Sequence, residues 1–286
     1  MGFRLITEDI KGNKDEVVSK IFVTFGDGDF IYRRSATRLA AQMSRFEIYD
    51  LTLALNKKWL KTYYPEIYRL IIQNSKKFPV KGYGYWVWKY CALEYLGKQY
   101  PNAIIHYADC LHSAENSEKM YRLLRNCLEK CMSTGYLGWE IPDCREIEFT
   151  KSELCNFMNA SVAETEANQM DASQFLLSAT NALYVSSQLL SIFQDHFDLL
   201  LDSTSAPQSQ FFRQHRHDQS VISLLWKKQW RLEQVYILEK PLHHHRDLSL
   251  DSRFRSNMLG VFLLETFFAR IEKYLQILLW KIIWKV

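Results

Sequence analysis

No stretch of this chain is apolar for long enough to cross a bilayer, which takes about 20 consecutive apolar residues. Its most apolar segment, Tyr274 to Val286, is short and is interrupted by Lys281 and Lys285. Met1 to Lys14 is polar and charged, without the apolar core of a secretory signal. Dense runs of Lys and Arg are missing, and a net charge of +4 is too small to argue for nucleic acid as a partner. Internal repeats are absent, and no linker divides residues 1–256, which read as one domain followed by a helical extension over 257–286. The six cysteines (Cys91, Cys110, Cys127, Cys131, Cys144 and Cys155) come without an export signal, so reduced thiols in a cytoplasmic protein are expected. Cys127 and Cys131 stand at helical spacing, which argues against a zinc knuckle.

What is present suits a globular domain. At 286 residues, with 48% hydrophobic and 24% charged residues, the chain can bury a large core. Aromatics at 14% are plentiful, for the core or for a cleft with flat apolar walls. Lys20 to Phe25 is an apolar run closed by Gly26-Asp27-Gly28, a strand feeding a tight turn. Helical periodicity follows over Tyr32 to Arg45, then a second strand is expected over Phe46 to Leu51 and a helix over Trp59 to Asn74. Val87 to Leu96 reads as helix and Ala103 to Tyr107 as strand. This alternation predicts an α/β fold with a mainly parallel sheet flanked by helices. Further on, the pattern predicts helices over Glu118 to Met132, Lys151 to Met158 and Ala182 to Leu201, and strands over Glu146 to Phe149 and Ser173 to Leu177. Asp218 opens a last helix, where a carboxylate suits the positive N-terminus. Asp202 to Gln210, rich in Ser, Pro and Gln, reads as a loop able to close over a ligand, and His243-His244-His245-Arg246 as a solvated loop.

Three separated segments carry chemistry. Gly82-Tyr83-Gly84-Tyr85-Trp86-Val87-Trp88-Lys89 is a glycine-spaced aromatic platform ending in a cation. Ile104 to Asp109 is an apolar strand ending on a carboxylate, where open α/β sheets place their ligands. His215-Arg216-His217-Asp218-Gln219 gathers imidazole, guanidinium, carboxylate and carboxamide in five residues. A sugar joined to a nucleotide diphosphate needs all of these groups: a cation or Arg/Lys clamp for the phosphates, and acids and amides for the sugar.

Phe25-Gly26-Asp27-Gly28, Arg38-Leu39, Gly84 to Lys89, Tyr107-Ala108-Asp109, Thr150-Lys151 and His215 to Ser220 occur in this order. Over roughly residues 20 to 230 the pattern resembles a family of bacterial and phage GT-A-type glycosyltransferases, loosely related to the family 8 and capsular-type enzymes. The resemblance implies a GT-A-like (Rossmann-like) fold. It also implies transfer of a sugar from a nucleotide-sugar donor, with UDP the commonest nucleotide, to a glycan or lipid-linked acceptor in polysaccharide biosynthesis. It places Phe25, Gly26, Asp27, Arg38, Trp88 and Lys89 at the donor and Asp218 and Gln219 at the transferred sugar. Asp109 would match the first acid of a manganese or magnesium motif; independently of the resemblance, His112 or His217 would supply further ligation, since Mn²⁺ accepts imidazole as well as oxygen. Relatives read Asp-Ala-Gly-Cys there; this chain reads Asp109-Cys110-Leu111-His112, without the glycine and without a complete Asp-x-Asp.

Two other classes stay open on the sequence: a relative that binds nucleotide or glycan without turnover, and a membrane-peripheral interaction protein. The latter rests on the terminal helix, where Lys273, Lys281 and Lys285 form a cationic stripe beside Trp280 and Trp284. Such a helix suits the inner face of a membrane, or packs on the domain or a second copy.

Overall fold

The computed structural model describes residues 18–28, 30–78, 81–230 and 240–244. The expected terminal helix 257–286, with His245 and Arg246, lies outside the described residues. Strand β1 (Lys20–Phe25) leads into helix α1 (Phe30–Ser44). Residues Phe46 to Asp50 turn the chain out of α1, so β2 (Leu51–Leu55) starts where the expected strand was to end. In place of one helix over Trp59 to Asn74 there are two, α2 (Lys57–Tyr63) and α3 (Pro65–Lys77). Pro65 is the cause: it lacks an N–H and keeps Tyr64 out of helical geometry (φ −133°), so it starts a new helix as its first residue.

A left-handed turn, α4 (Gly82–Tyr85), precedes α5 (Val87–Gln99) and β3 (Ile104–Ala108). Then come β4 (His112–Ser113), α6 (Glu118–Thr134), β5 (Tyr136–Leu137) and β6 (Glu140–Arg145). Three short helices follow, α7 (Glu146–Phe149), α8 (Ser152–Phe157) and α9 (Val162–Glu166). The first of these replaces an expected strand. Strands β7 (Asn168–Met170) and β8 (Gln174–Ser178) precede α10 (Ala179–Asp195), a 3₁₀ turn Phe197–Leu200, and α11 (His217–Trp230). His243 and His244, expected in a solvated loop, form β9 (His243–His244), which pairs antiparallel with β4.

The main sheet has the order β2-β1-β3-β8-β5. β1 runs parallel to β2 and β3, while β8 is antiparallel to both β3 and β5. Four strands therefore share one direction and β8 opposes them. The mainly parallel α/β sheet flanked by helices is the architecture that the strand and helix alternation predicts. Its strands are buried on both faces, as a sheet covered by helices requires. Ile21, Val23 and Phe25 of β1 pack into the larger cluster, with residues of α5, α10 and α11. Phe22 points the other way, to Leu39 and Met43 of α1 and to Met120 and Leu124 of α6. On that second side Cys127 and Cys131 are buried with Leu128, Leu137 and Leu176, and all six cysteines are free thiols. Among the described residues no helix is long and apolar enough to cross a membrane.

Helix α5 is buried on every side from Val87 to Leu93. A helical stretch buried all round belongs to the interior, which makes the one cation within it, Lys89, the residue to explain.

Candidate active site

The approach to α5 is strained. Gly82, Tyr83, Gly84, Tyr85 and Trp86 all have positive φ, at 54, 49, 81, 51 and 60°. Three of the five carry side chains, each costing on the order of 1–2 kcal/mol in this conformation. The two glycines are also needed for space: a Cβ on Gly84 would stand 2.7 Å from Ile71, and one on Gly82 2.4 Å from the Trp86 ring. The turn sets Tyr85 against His217, ring centroids 4.3 Å apart, and feeds Lys89 into the end of the sheet.

There the Lys89 Nζ meets oxygens from three segments. It donates to the Ala172 carbonyl at 2.7 Å and to Asp218 Oδ2 at 3.0 Å, and lies 3.8 Å from Asp109 Oδ1. Asp109 follows β3 and Asp218 is the second residue of α11, so both expected acids face one ammonium at the carboxyl ends of β1 and β3. The Tyr90 hydroxyl donates to Asp218 Oδ2 at 3.1 Å, and the Tyr107 hydroxyl to Asp109 Oδ1. The Lys89 and Asp218 side chains are buried (2% and 6% exposed), whereas Asp109 keeps 24% of its surface and forms the open edge. Burial alone would lower the Lys89 pKa, but Asp218 and then Asp109 outweigh it and the net direction is upward, keeping the amine charged. Burial pushes the Asp109 carboxyl up, against Lys89 and Tyr107, with the neighbouring Asp218 and Asp171 adding to the rise. Both phenols are raised well above their usual range, chiefly by burial, and remain donors.

The other expected residues fall into two groups. Phe25 stacks on Trp88 at 4.1 Å, with Trp88 also near Tyr107, so both rings belong to the core directly beneath the cluster. Gly26 touches α1, where a Cβ would sit 2.1 Å from the Tyr32 carbonyl oxygen. Asp27 accepts the Gly28 and Lys57 amides and so ties the β1 turn to α2. Arg38 of α1 donates to the Cys110 and His112 carbonyls (3.4 and 3.1 Å), on the loop that Asp109 opens. These residues surround one end of the sheet.

His112 and His217 do not join Asp109 as ligands. The His112 ring spans the Asp109 carbonyl (Nδ1, 3.0 Å) and Ser173 Oγ (Nε2, 3.4 Å). His217 Nδ1 donates to the Leu200 carbonyl at 2.7 Å, and its Nε2 faces Asp202 at 3.5 Å. Among the described residues no group of three or more His, Cys, Asp or Glu is placed to hold a metal ion. The donor set Asp109, His112 and His217 therefore does not fit a manganese or magnesium ion. His217 and His215 anchor the 3₁₀ turn instead, and burial lowers the pKa of both, His215 to about 3.

Gln219 donates to Gln169 Oε1 at 2.8 Å. That contact opens onto a buried network that the sequence reading missed. Gln169 Nε2 reaches Glu146 at 2.9 Å and Thr150 at 3.1 Å, and Glu146 also accepts from Ser223 and from Lys227 at 2.6 Å. Ser220, Ser223 and Lys227 stand at i, i+3 and i+7 in a stretch of α11, 220–227, that is otherwise apolar, a polar stripe that was readable. Tyr107 was readable too, because residues two apart on a strand share a face with Asp109. Glu164 and Glu166 serve locally: Glu164 closes a capping box with Ser161, and Glu166 pairs with Arg145.

The Asp202 to Gln210 loop is tied down. Glu153 accepts the Ser205 and Ala206 amides and Gln208 Nε2 (2.8 Å), while Lys81 holds Asp202 at 2.7 Å. Burial tends to raise the Glu153 pKa, but the Ser205 and Ala206 amides overcome it and hold the carboxyl at about 2, below its ordinary 4.5. A depressed carboxyl stabilises above its unfolded pKa and loses that contribution as pH falls through the folded one. Glu153→Gln should therefore be cut faster than the parent by a protease within 202–210 at neutral pH. The difference should shrink as pH drops below 4.5; equal cleavage at neutral pH would mean that something else holds the loop.

A cavity of about 610 Å³ opens elsewhere, among Glu140, Asp143, Arg145, Glu148, Glu166 and Arg213. Its two arginines already pair with Glu148, each at 2.9 Å, and none of the Lys89 cluster lines it. No family model and no curated protein matches the chain. Among solved structures, mouse xyloside xylosyltransferase 1 in its apo form is similar at 12% identity and a TM-score of 0.36, covering 75% of this chain and 83% of that one. A likeness at that TM-score carries no argument about this chain.

Proposed function

We propose that the chain is a GT-A-like glycosyltransferase that moves a sugar from a nucleotide-diphosphate donor, UDP first among the candidates, to a glycan or lipid-linked acceptor in polysaccharide synthesis. The observation that carries this reading is the meeting of Asp109, Asp218 and Lys89 at the carboxyl ends of β1 and β3, the end of an α/β sheet where ligands bind. In the reaction, an acceptor hydroxyl oxygen bonds to the anomeric carbon as the carbon–oxygen bond to the diphosphate breaks. The diphosphate leaves with the electron pair, and the hydroxyl proton passes to a base. Positive charge grows on the sugar, which a fixed carboxylate stabilises, and negative charge grows on the diphosphate, which fixed donors stabilise. Asp218, held by Lys89 and Tyr90, is the carboxylate for the sugar; Gln219 is its neighbour toward Gln169. Asp109 lines the open edge. The start of α5 and Arg38 border the phosphate side, where a helix N-terminus favours anions. No step is routed through a metal ion.

The departure at Asp109-Cys110-Leu111-His112 favours a second reading, binding without turnover. Peripheral membrane contact would come from 257–286.

Thermal-shift measurement against a panel of nucleoside diphosphates tests both readings. A nucleotide at a hundred times its Kd should stabilise the chain by about 2.7 kcal/mol, roughly 5–10 °C for a chain of this size. Release of sugar or nucleotide from the matching donor then separates the transferase from a binding relative. If no nucleoside diphosphate moves the melting temperature, the transferase reading falls, and glycan binding without turnover or peripheral membrane contact becomes the reading to test.

A further inference from the structure

We infer that Lys89 is the resident cation of the Asp109–Asp218 pair, so that the pair takes up a divalent ion only when the ammonium is removed. The donor side of this inference deepens the transferase reading and rests on it; the cation side does not.

The ammonium stands where an ion shared by the two acids would stand, 3.0 Å from Asp218 and 3.8 Å from Asp109, with the Ala172 carbonyl at 2.7 Å as a third oxygen. The rings of Tyr107 and Tyr90 lie beneath it, centroids 5.0 and 5.9 Å away, where an aromatic face attracts a cation. The two carboxylate oxygens turned toward Lys89 also accept from Tyr107 and Tyr90, which leaves them little capacity for a metal. A divalent ion added here would face a unit positive charge about 4 Å away in a buried place, where like charges repel strongly. Lys89 has no room to withdraw, being 2% exposed in the part of α5, Val87 to Leu93, that is buried on every side. The nearest further acid, Asp171, is neutralised by Lys240. The three groups therefore carry a net charge of −1 with the ammonium in place and −2 without it, and the second is the set that takes up a metal.

The test uses the full chain, with Mn²⁺ as the probe, followed by melting temperature and by calorimetric titration against an EDTA control. The parent and Asp109→Asn should take up Mn²⁺ alike, with no ion bound at this pair. Lys89→Met keeps the length of the stem and removes the charge. It should melt lower than the parent in EDTA and recover several degrees with Mn²⁺, a recovery that Lys89→Met/Asp109→Asn should lose. In the parent, the nucleotide-induced shift should be the same in EDTA as in Mn²⁺. Two results would overturn the inference: Mn²⁺ uptake by the parent that Asp109→Asn abolishes, or a folded Lys89→Met that gains nothing from Mn²⁺. If Lys89→Met fails to fold, Lys89→Gln, neutral and still able to donate a hydrogen bond, takes its place in the same comparison, and the parent against Asp109→Asn still tests the closed state of the pair. A panel with no nucleotide shift at all would remove the transferase reading and leave the Mn²⁺ result standing by itself.

Discussion

Asp218→Asn should lower kcat for sugar transfer by roughly 10²–10³, the usual effect of removing one preorganised group that stabilises transition-state charge. Donor KM should stay within a few-fold of the parent's, because an interaction made mainly in the transition state leaves ground-state binding in place. Asn keeps the shape of Asp and can still accept from Tyr90, now 3.1 Å from Oδ2, and from Lys89 at 3.0 Å. What it lacks is the negative charge. Melting temperature and the nucleotide-induced shift serve as controls that the site remains folded and competent to bind. The competing explanation is that Asp218 merely suits the start of α11, a helix-dipole effect worth about 0.3–1 kcal/mol in stability. That explanation predicts a lower melting temperature and an unchanged kcat. A kcat within tenfold of the parent would remove Asp218 from the chemistry and with it the main support for transfer.

How far the sequence reveals such a site depends on how local each contact is. The β1 turn, the carboxylate after β3 and the helix opened by Asp218 were legible because apolar runs, a glycine turn and a polar cluster mark them within a few residues. Pro65 was equally legible as a helix break, yet the apolar pattern continues across it and obscures it. Glu146 to Phe149 alternates polar and apolar like a strand, but four residues between β6 and α8 form a helical turn that buries Glu146 instead. The partner that explains this, Lys227, is 81 positions away, and Lys89 and Asp218 are 129 apart. Pairings at such separations leave no periodic mark. His217 shows the opposite error. Its chemistry suggested a ligand, whereas its position, at a positive φ of 50° under the 3₁₀ turn, commits its ring to the Leu200 carbonyl.

The Glu146–Lys227 pair leads to the largest expected effect on stability. Lys227→Ala should cost about 3–5 kcal/mol, the usual penalty for leaving a buried charge without its partner, or roughly 6–20 °C in melting temperature. Glu146 is fully buried, and Lys227 supplies both its ion pair and donors to the Glu164 and Ala167 carbonyls (3.0 and 3.3 Å). With the ammonium gone, Ser223, Thr150 and Gln169 still donate to the carboxylate, but none neutralises it. The double variant Lys227→Met/Glu146→Gln should regain much of the loss, because it removes the charge that was stranded; a double-mutant cycle reads the coupling. If the double variant is no more stable than Lys227→Ala, the stranded Glu146 charge is not the source of the loss. The same network reaches the candidate site through Gln169 and Gln219, one residue from Asp218. Lys227→Ala should therefore also lower kcat below the melting transition, whereas Glu153→Gln, which loosens only the loop, should leave Asp218 where it is.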